Sequence, residues 1–313
     1  MYGGNVLSCT VQERAECRLT TETEHLKLRN EDDFAEINSA DQLEFHSDKL
    51  DIARAALTFF QIDPAKHKFS LELSTTIPMR AGLAGSTAML AAIVGALDLY
   101  LDMNMTPYAL AETTRKVEAR VLQIVCGHQD QHMAVFGGLN FMNFAGKQDL
   151  QQRDDEPLAT IEPLGTLIPN PPLVLAHTGI QHHSGTVHSS PRQRWLAGEE
   201  IVRQHYARIG ELAITAKRAF VQNDFQTVGE LMNENHTLVA ELGGSGPANE
   251  TLIKAAREAG AWGAKLAGAG GGGTIIALAE DIETMGKALM AAGAESLYYP
   301  RPSPGLSRSS TFW

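Results

Sequence analysis

The sequence lacks several features that would place the protein in particular classes. No stretch of about 18 apolar residues runs without a charge, so we expect no membrane-spanning helix. Met1 is not followed by a basic and then an apolar segment, so we expect no secretory signal. The three cysteines (Cys9, Cys17 and Cys126) form no CxxC motif, which indicates reduced thiols in a cytoplasmic protein. Lys and Arg number 26 against 37 Asp and Glu, which argues against nucleic acid or a membrane surface as a partner.

The composition supports a folded protein with a substantial core. The chain has 313 residues, of which 43% are hydrophobic, enough for one large domain or two ordinary ones. Strand-like alternation and helical spacing are interspersed along the chain, which predicts an α+β protein in two parts. The clearest break is the proline-rich stretch 169–172, so we expect domains at 1–168 and 169–313.

The same patterns predict individual elements. Residues 5–11 and 16–20 are expected to form a hairpin, residues 135–144 a strand, residues 148–156 a surface loop, and the Pro- and Ser-rich tail 300–308 a loose end. The other predicted elements are helices at 48–60, 86–100, 106–125, 191–242 (broken near Asn223), 249–259 and 281–292, and strands at 67–74, 173–176, 263–266, 273–278 and 295–299.

A first cluster of glycines lies between a predicted strand and a predicted helix. Residues 82–85 read Gly-Leu-Ala-Gly, follow the strand at 67–74 and precede a helix from Ser86 to Tyr100. Glycine lets a ligand approach the backbone closely, and the free amides of a helix N-terminus favour a phosphate. Ser86 and Thr87 add hydroxyls that can cap the helix or ligate a metal. The alternative is a tight connection between packed elements, with Ser86 as an ordinary N-cap.

A second cluster, 268–273, imitates a dinucleotide-binding fingerprint. Gly268, Gly270 and Gly273 satisfy GxGxxG, a pattern that requires a strand before it and a helix after it. The residues that follow are predicted to form a strand, and the match lies near the C-terminus, so we reject the Rossmann interpretation. The P-loop pattern, GxxxxGK followed by Ser or Thr, is also absent from the sequence.

Two carboxylates are candidates for phosphoryl-transfer chemistry. Asp130 lies just past a predicted helix, where it could accept or orient a hydroxyl proton, although it could also be a capping Asp. Glu118, on that helix, could form a Mg²⁺ shell together with a helix-terminal hydroxyl and two phosphates. The alternative for Glu118 is an exposed helix carboxylate paired with Lys116 or Arg120.

Histidine and arginine give weaker signals. His128 and His132 lie four residues apart and three more histidines cluster at 182–188, but neither group has a matching third ligand, so we predict no metal site there. Arg80 borders the first glycine cluster, and its fork-shaped guanidinium suits an anionic substrate.

Three motifs, in order along the chain, resemble those of the GHMP family of small-molecule kinases. The first is PMRAGLAGSTA at 78–88, the second is GHQDQ at 127–131 with FGG at 136–138, and the third is KLAGAGGGG at 265–273. Together they span most of the sequence. Within the family the sequence is most similar to the glucuronokinases, through Arg80, GGL at 137–139, MNF at 142–144, SGTVH at 184–188, RW at 194–195 and LMN at 231–233. The heptose 7-phosphate kinases follow, through GHQDQ at 127–131 and AHTG at 176–179.

The resemblance implies ATP- and Mg²⁺-dependent phosphorylation of a sugar or sugar-acid hydroxyl at the anomeric carbon, giving a sugar 1-phosphate. It implies that Asp130 is the catalytic base or orients the hydroxyl, and that Thr87 and Glu118 hold Mg²⁺. It implies that Arg80, Asp130 and Gln131 contact the substrate. The residues implied for ATP binding are Pro78, Gly82, Leu83, Ala84, Gly85, Ser86, Thr87, Gly268, Gly270 and Gly271.

The fold implied by the resemblance is the α+β, two-domain GHMP kinase fold, with an N-terminal domain like domain 2 of ribosomal protein S5 and a ferredoxin-like C-terminal domain. The family's first strand and first motif are not found ahead of Asn5, so we expect them to be missing. That keeps a non-catalytic nucleotide- or sugar-binding homologue as one alternative, and a heptose-phosphate or galactose kinase is another. Both a monomer and a homodimer are compatible with the sequence.

Overall fold

The chain forms two compact units, each assembled from separate segments. The computed structural model describes residues 3–21, 23–78, 81–147, 156–180, 191–268 and 273–310. The larger unit comprises Met1–Gln12, Met79–Ala84 and Gly137–Ser303, and the smaller unit comprises Glu13–Pro78, Gly85–Phe136 and Pro304–Trp313. Because both units combine several segments, the domain boundary expected after residue 168 stays a prediction.

Runs of strands and runs of helices follow one another along the chain, as in an α+β fold. The strands are β1 (Asn5–Cys9), β2 (Ala15–Thr20), β3 (Leu26–Arg29), β4 (Phe34–Ile37), β5 (Ser70–Thr75), β6 (Leu139–Asn143), β7 (Thr160–Pro163), β8 (Leu173–His177), β9 (Gly263–Ala267), β10 (Thr274–Leu278) and β11 (Ser296–Tyr298). The helices are α1 (Asp51–Phe59), α2 (Gly85–Tyr100), α3 (Pro107–Lys116), α4 (Gln129–Phe136), α5 (Glu200–Val221), α6 (Phe225–Glu241), α7 (Pro247–Glu258) and α8 (Ile282–Ala291). None of the described helices is long and apolar enough to cross a membrane.

The smaller unit is built on a four-stranded sheet in the order β2-β5-β3-β4. β3 runs parallel to β5, and the other neighbouring pairs are antiparallel. One face of the sheet carries buried side chains such as Leu28 and Leu71, which share an apolar core with α1 and α2. α2 consists largely of Ala, Leu, Ile and Met, and residues around most of its circumference are buried, Leu90 and Ile93 among them. The helix that begins at the first glycine cluster is therefore held firmly by the core.

The larger unit contains two antiparallel sheets, in the orders β1-β6-β7 and β11-β8-β10-β9. β8 is central in the second sheet and all five of its residues are buried. Val174 and Ala176 on β8 share an apolar cluster with Leu252 of α7 and Leu289 of α8. The opposite strand face contributes Leu173 to a second cluster with Leu139 of β6. This sheet carries the second glycine cluster in the connection between β9 and β10.

A local capping signal in the sequence predicts one helix start correctly. Thr106 accepts a hydrogen bond from the N–H of Ala109 at 3.2 Å, directly ahead of Pro107 at the first helical position. Asp224 and Asp281 cap α6 and α8 in the same way. The break predicted near Asn223 is therefore the junction of α5 and α6.

Other predictions from the sequence are wrong. β1 and β2 do not form a hairpin, because β1 pairs with β6 and β2 pairs with β5. Val135 and Phe136 end α4, and the strand predicted from 135 begins only at Leu139. The helix predicted for 106–125 ends as an α-helix at Lys116. β3, β4 and β7 were not predicted, since four-residue strands carry little alternation. Most of the loop predicted at 148–156 lies outside the described residues.

The C-terminal tail is held rather than loose. Arg14 donates to the carbonyl oxygens of Pro304 and Gly305 at 2.6 and 2.9 Å. The N–H of Leu306 donates to the carbonyl of Val135 at 3.0 Å, and the Leu306 side chain packs on the core of the smaller unit. A Pro- and Ser-rich tail is ordered when its backbone groups have partners, and here Arg14 bonds two of its carbonyl oxygens.

The strongest tail contact is an ion pair between Arg308 and Asp98 of α2. Asp98 is 1% exposed, and its other carboxylate oxygen accepts from the N–H of Met105 at 2.8 Å.

Replacing Arg308 by Ala leaves a buried carboxylate without its cation, so we expect the free energy of unfolding to fall by about 3 kcal/mol. Urea denaturation measures this change. Arg301→Ala, at an exposed position of the same tail, is the control and should stay within about 0.5 kcal/mol of wild type; equal losses in both variants would contradict the assignment.

Candidate active site

The backbone ahead of α2 adopts left-handed conformations at two positions. Gly82 has φ +73° and Ala84 has φ +55°, and α2 begins at the next residue, Gly85. Alternation of left- and right-handed residues can turn successive N–H groups toward one anion, and the helix N-terminus adds its own free amides. Alanine pays about 1 kcal/mol for a left-handed conformation that glycine adopts freely. Ala84 therefore sits at a position where the backbone geometry is constrained.

The two glycine clusters meet in the larger unit. Gly268 has φ +70°, and a Cβ at this position would lie 3.2 Å from the carbonyl oxygen of Gly82. The hydroxyl of Thr274, at the start of β10, donates to the carbonyl of Ala81. Thr274 was not among the predicted site residues, although its position directly after the second glycine cluster was a usable signal. Gly268 and Thr274 flank the β9–β10 connection, and each lies against residues 81–82.

A buried carboxylate joins three segments of the smaller unit. The Thr87 hydroxyl, in the first turn of α2, donates to one carboxylate oxygen of Glu118 at 2.6 Å. The side-chain amide of Gln131, in α4, donates to the other oxygen. Thr87, Glu118 and Gln131 are 5%, 4% and 1% exposed. The sequence offered Glu118 either as an exposed carboxylate or as part of a site, and the exposed alternative is wrong.

Glu118 lies at the start of a break in helical geometry, on the helix face that also buries Leu110, Ala111 and Thr114. α3 ends at Lys116, and the chain continues as a π-helical turn from Val117 to Val121. A π turn adds a residue to the helical repeat and thereby rotates the following side chains. Regular α-helical spacing through residue 125, as predicted from the sequence, could not reveal this rotation.

The pKa of Glu118 is raised to about 7, chiefly by burial and also by the negative charge of Asp130, against the hydrogen bonds from Thr87 and Gln131, which lower it. The sequence suggested that Asp130 follows a helix end, but it lies in the first turn of α4. Its side chain is open to solvent, although neighbouring protein atoms desolvate the carboxyl enough to raise its pKa. Two adjacent carboxylates thus both have raised pKa values.

The remaining predicted residues divide into described and undescribed positions. Pro78 and Leu83 are half-buried and Ser86 is exposed. Arg80, Gly270 and Gly271 lie outside the described residues, as do the histidines at 182–188.

The two histidines near Asp130 lie in the protein interior and contact each other. His132 Nδ1 lies 2.7 Å from the carbonyl oxygen of His128, and both residues are buried. Over the described ranges there is no group of three or more His, Cys, Asp and Glu side chains that could hold a metal ion. The expectation that these histidines are structural is therefore compatible with their contacts.

The arrangement is suited to binding a phosphorylated ligand. It contains a helix N-terminus preceded by left-handed residues, a hydroxyl–carboxylate pair, and a second carboxylate on the neighbouring helix turn. Oxygen donors of this kind, few in number, are typical of Mg²⁺ sites whose shell is completed by phosphates and water.

Comparison with known proteins places these features in a family. The sequence matches the GHMP kinases N terminal domain over residues 51–138 and the GHMP kinases C terminal domain over residues 216–295. The mevalonate kinase of Pyrococcus abyssi is 32% identical over 215 residues, which are 67% of this chain and 59% of that protein. Glucuronokinase 1 of Arabidopsis thaliana is 32% identical over 207 residues, which are 65% of this chain and 56% of that protein. The chain thus matches less than two thirds of the length of each relative.

The fold agrees with the same family. The crystal structure of Lactococcus lactis galactokinase complexed with galactose superimposes with a TM-score of 0.78 at 20% identity, covering 97% of this chain and 89% of that one. At this identity the likeness bears on the fold alone. The two matched domains together cover more than half of the sequence in the expected order, and the chain therefore belongs to the GHMP kinase family and has its α+β fold.

Proposed function

We propose that the protein is an ATP-dependent small-molecule kinase that phosphorylates a sugar or sugar-acid hydroxyl, with the anomeric hydroxyl of a uronic acid as the first candidate. The observation that carries the proposal is the buried contact of Glu118 with Thr87 and Gln131, beside Asp130. A carboxylate is costly to bury without a cation or strong donors. A buried carboxylate that contacts the first turn of α2, next to a loop of the phosphate-binding type, is expected of a kinase.

In this proposal residues 82–87 hold the triphosphate of ATP. Their contribution is positioning and charge stabilisation by backbone amides, which phosphoryl transfer needs more than covalent chemistry. Gly268 acts from the other side of the loop, since its own close approach to Gly82 keeps that backbone in place. Gly270, Gly271 and Arg80 complete the proposed ligand contacts on sequence grounds.

Thr87 and Glu118 are the proposed holders of Mg²⁺. Their hydroxyl and carboxylate oxygens are the donors that this ion prefers, and they lie side by side. The ion would neutralise negative charge on the phosphates of ATP. Gln131 has a supporting part, because its amide fixes the second carboxylate oxygen of Glu118.

Asp130 is the proposed base. The acceptor hydroxyl loses its proton to the Asp130 carboxylate while its oxygen forms a bond to the γ-phosphorus, and the bond from that phosphorus to the departing ADP oxygen breaks. Desolvation, which raises the pKa of Asp130, makes its carboxylate a better proton acceptor than an ordinary Asp. Asp130 lies in the first turn of α4, where the helix dipole stabilises a carboxylate and offsets part of the cost of its desolvation.

Mevalonate is the second candidate substrate. The mevalonate kinase of Pyrococcus abyssi and glucuronokinase 1 of Arabidopsis thaliana are equally identical to this chain, at 32%. The sequence likeness to glucuronokinases at the first motif and at 231–233 favours the sugar acid. Galactose, a heptose phosphate and a non-catalytic binding role remain alternatives that one assay separates.

The assay measures ADP formation from ATP and Mg²⁺ with glucuronate, galactose, heptose phosphates and mevalonate. We expect the highest kcat/KM with glucuronate, and a decrease in kcat of about 10²- to 10⁴-fold in Asp130→Asn because proton transfer is lost. Asp41→Asn, at an exposed position, is the control and should retain full activity. Turnover only with mevalonate would replace the sugar assignment, and binding of ATP without turnover of any substrate would favour the non-catalytic alternative.

Glu118→Gln tests the metal-site carboxylate through stability as well as activity. The folded protein binds the Glu118 proton more tightly than the unfolded chain, because its pKa is about 7 instead of the ordinary 4.5. This contribution to stability is present below pH 4.5 and is lost as pH rises through 7. The loss amounts to about 3 kcal/mol, at 1.36 kcal/mol per pKa unit.

Glutamine keeps the shape of the side chain and removes its charge. We therefore expect the difference in unfolding free energy between pH 5 and pH 8, measured by urea denaturation, to shrink in Glu118→Gln. Stabilisation by Mg²⁺ and ATP in a thermal-shift measurement should also be lost. The exposed control Glu44→Gln should behave like wild type in both measurements, and an unaltered pH difference in Glu118→Gln would contradict the proposed ionisation.

A further inference from the structure

β9 lies at the edge of its sheet, yet the backbone groups along its open side are hydrogen-bonded to side chains. The sheet order is β11-β8-β10-β9, so only one side of β9 has a neighbouring strand. The groups that face outward belong to Ala264, Leu266 and the carbonyl of Trp262. An edge of this kind normally exposes unpaired N–H and C=O groups to water or to another chain.

Asn233 of α6 imitates a residue of a neighbouring strand. Its amide Nδ2 donates to the carbonyl oxygen of Trp262 at 3.3 Å, and its Oδ1 accepts from the N–H of Ala264 at 3.0 Å. A residue in a parallel strand opposite Gly263 would bond to the same two groups. Arg257 of α7 donates to Asn233 Oδ1 at 2.9 Å and thereby fixes the orientation of the amide.

Three further side chains complete the edge. Arg257 also donates to the carbonyl of Ala264 at 3.0 Å. The N–H of Leu266 donates to His236 Nδ1 at 3.4 Å, and the Leu266 carbonyl accepts from Lys265 Nζ at 2.7 Å. All the outward backbone groups from the Trp262 carbonyl to the Leu266 carbonyl therefore have side-chain partners.

α6 can serve the edge because its backbone lies directly against it. Gly229, Asn233 and His236 have the spacing i, i+4 and i+7, which places them on one face of the helix. A Cβ on Gly229 would lie 2.3 Å from the carbonyl carbon of Trp262, so only glycine permits this approach. The close contact brings the Asn233 and His236 side chains within reach of the strand.

We propose that Asn233 and His236 are positioning residues for the nucleotide-binding loop, which they influence through β9. β9 leads directly into Gly268, whose backbone lies against Gly82. A shift of β9 would thus be passed to the loop ahead of α2. The proposal rests on the proposed function, in which that loop holds ATP, and it assigns a role to side chains that touch neither ATP nor substrate.

The contacts of His236 require its neutral form. Its Nε2 lies 3.0 Å from Glu250 and takes the proton, which leaves Nδ1 free to accept the N–H of Leu266. In a doubly protonated ring Nδ1 would carry a proton and point it at the N–H of Leu266, so the hydrogen bond would be lost. The charged groups that face His236 are Glu250 and Arg257 of α7 and Lys265 of β9; burial, Arg257 and Lys265 lower the pKa of His236, whereas Glu250 raises it.

The test compares His236→Leu, which removes the acceptor, with His236→Asn, which keeps an oxygen near the position of Nδ1 and cannot titrate. The control is His205→Leu, since His205 is also buried and paired with a glutamate, Glu241 at 2.6 Å, but does not contact β9. Dissociation constants for ATP with Mg²⁺ are measured by calorimetry, and hydrogen exchange is followed in the segment 262–268.

We expect the ATP dissociation constant to rise roughly fivefold in His236→Leu, the factor that corresponds to one hydrogen bond. Exchange in 262–268 should accelerate in the same variant. Both quantities should stay near wild type in His236→Asn and in His205→Leu. As pH falls from 7.5 to 5.5, wild type should lose ATP affinity relative to His236→Asn, and this comparison holds even if His236→Leu does not fold.

The outcomes separate the inference from the proposed function. Unchanged ATP affinity in His236→Leu together with faster exchange would overturn the inference and leave only a structural role for the edge contacts. A constant affinity ratio between wild type and His236→Asn across this pH range would overturn it as well. If wild type binds no ATP, the proposed function fails and the inference fails with it.

Discussion

The smaller unit depends on a carboxylate that is buried and satisfied at both oxygens. Glu118 ties together the first turn of α2, the π-helical turn after α3 and the first turn of α4, through Thr87 and Gln131. Removal of either donor would leave a buried charge with an unpaired oxygen, which is more costly than the loss of one hydrogen bond. Three segments that are separate in sequence are consequently held in one arrangement, and that arrangement includes the helix N-terminus most suited to a phosphate.

The larger unit is constrained by close backbone contacts rather than by a charge. Gly229 approaches Trp262 at a distance that a side chain would prevent, and Gly268 approaches Gly82 so closely that a Cβ would lie 3.2 Å from its carbonyl oxygen. Each contact fixes one end of β9 against another part of the unit. The side chains that complete the outer edge of this strand act between those two ends, and so the strand has little freedom to slide or twist.

How far the sequence predicts this protein depends on whether the signal is local. The start of α2 after the glycine cluster, the cap at Thr106 and the junction at Asp224 each follow from adjacent residues, and each is confirmed. The pairing of β1 with β6 is a long-range choice that alternation cannot specify, so the predicted hairpin is wrong. The π-helical turn that begins at Val117 does not show in regular helical spacing, so the helix predicted through residue 125 is too long.

The candidate site shows the same division. The loop at 82–87, Glu118 and Asp130 were predicted as site residues because motif residues lie close together in sequence or match a family pattern. Asn233 and His236 were not identified as site residues, because their partners are backbone groups about 30 positions away and backbone groups leave no trace in residue type. The sequence shows the family resemblance at 231–233 and the spacing of Gly229, Asn233 and His236 on one helix face, and that spacing also occurs in ordinary packed helices.

The acidic composition changes how an anion can be bound. With a net charge of −11, the chain offers no general positive field to a phosphate. Near the second glycine cluster, Lys265 donates to the carbonyl of Leu266 and Arg257 donates to that of Ala264. These cations serve the strand edge, and burial lowers the pKa of Lys265 to about 8. Attraction for a triphosphate must then come chiefly from oriented backbone amides and a bound cation, and amides are useful only when the backbone that carries them is held still. The glycine contacts, the edge contacts of β9 and the buried carboxylate all meet that requirement.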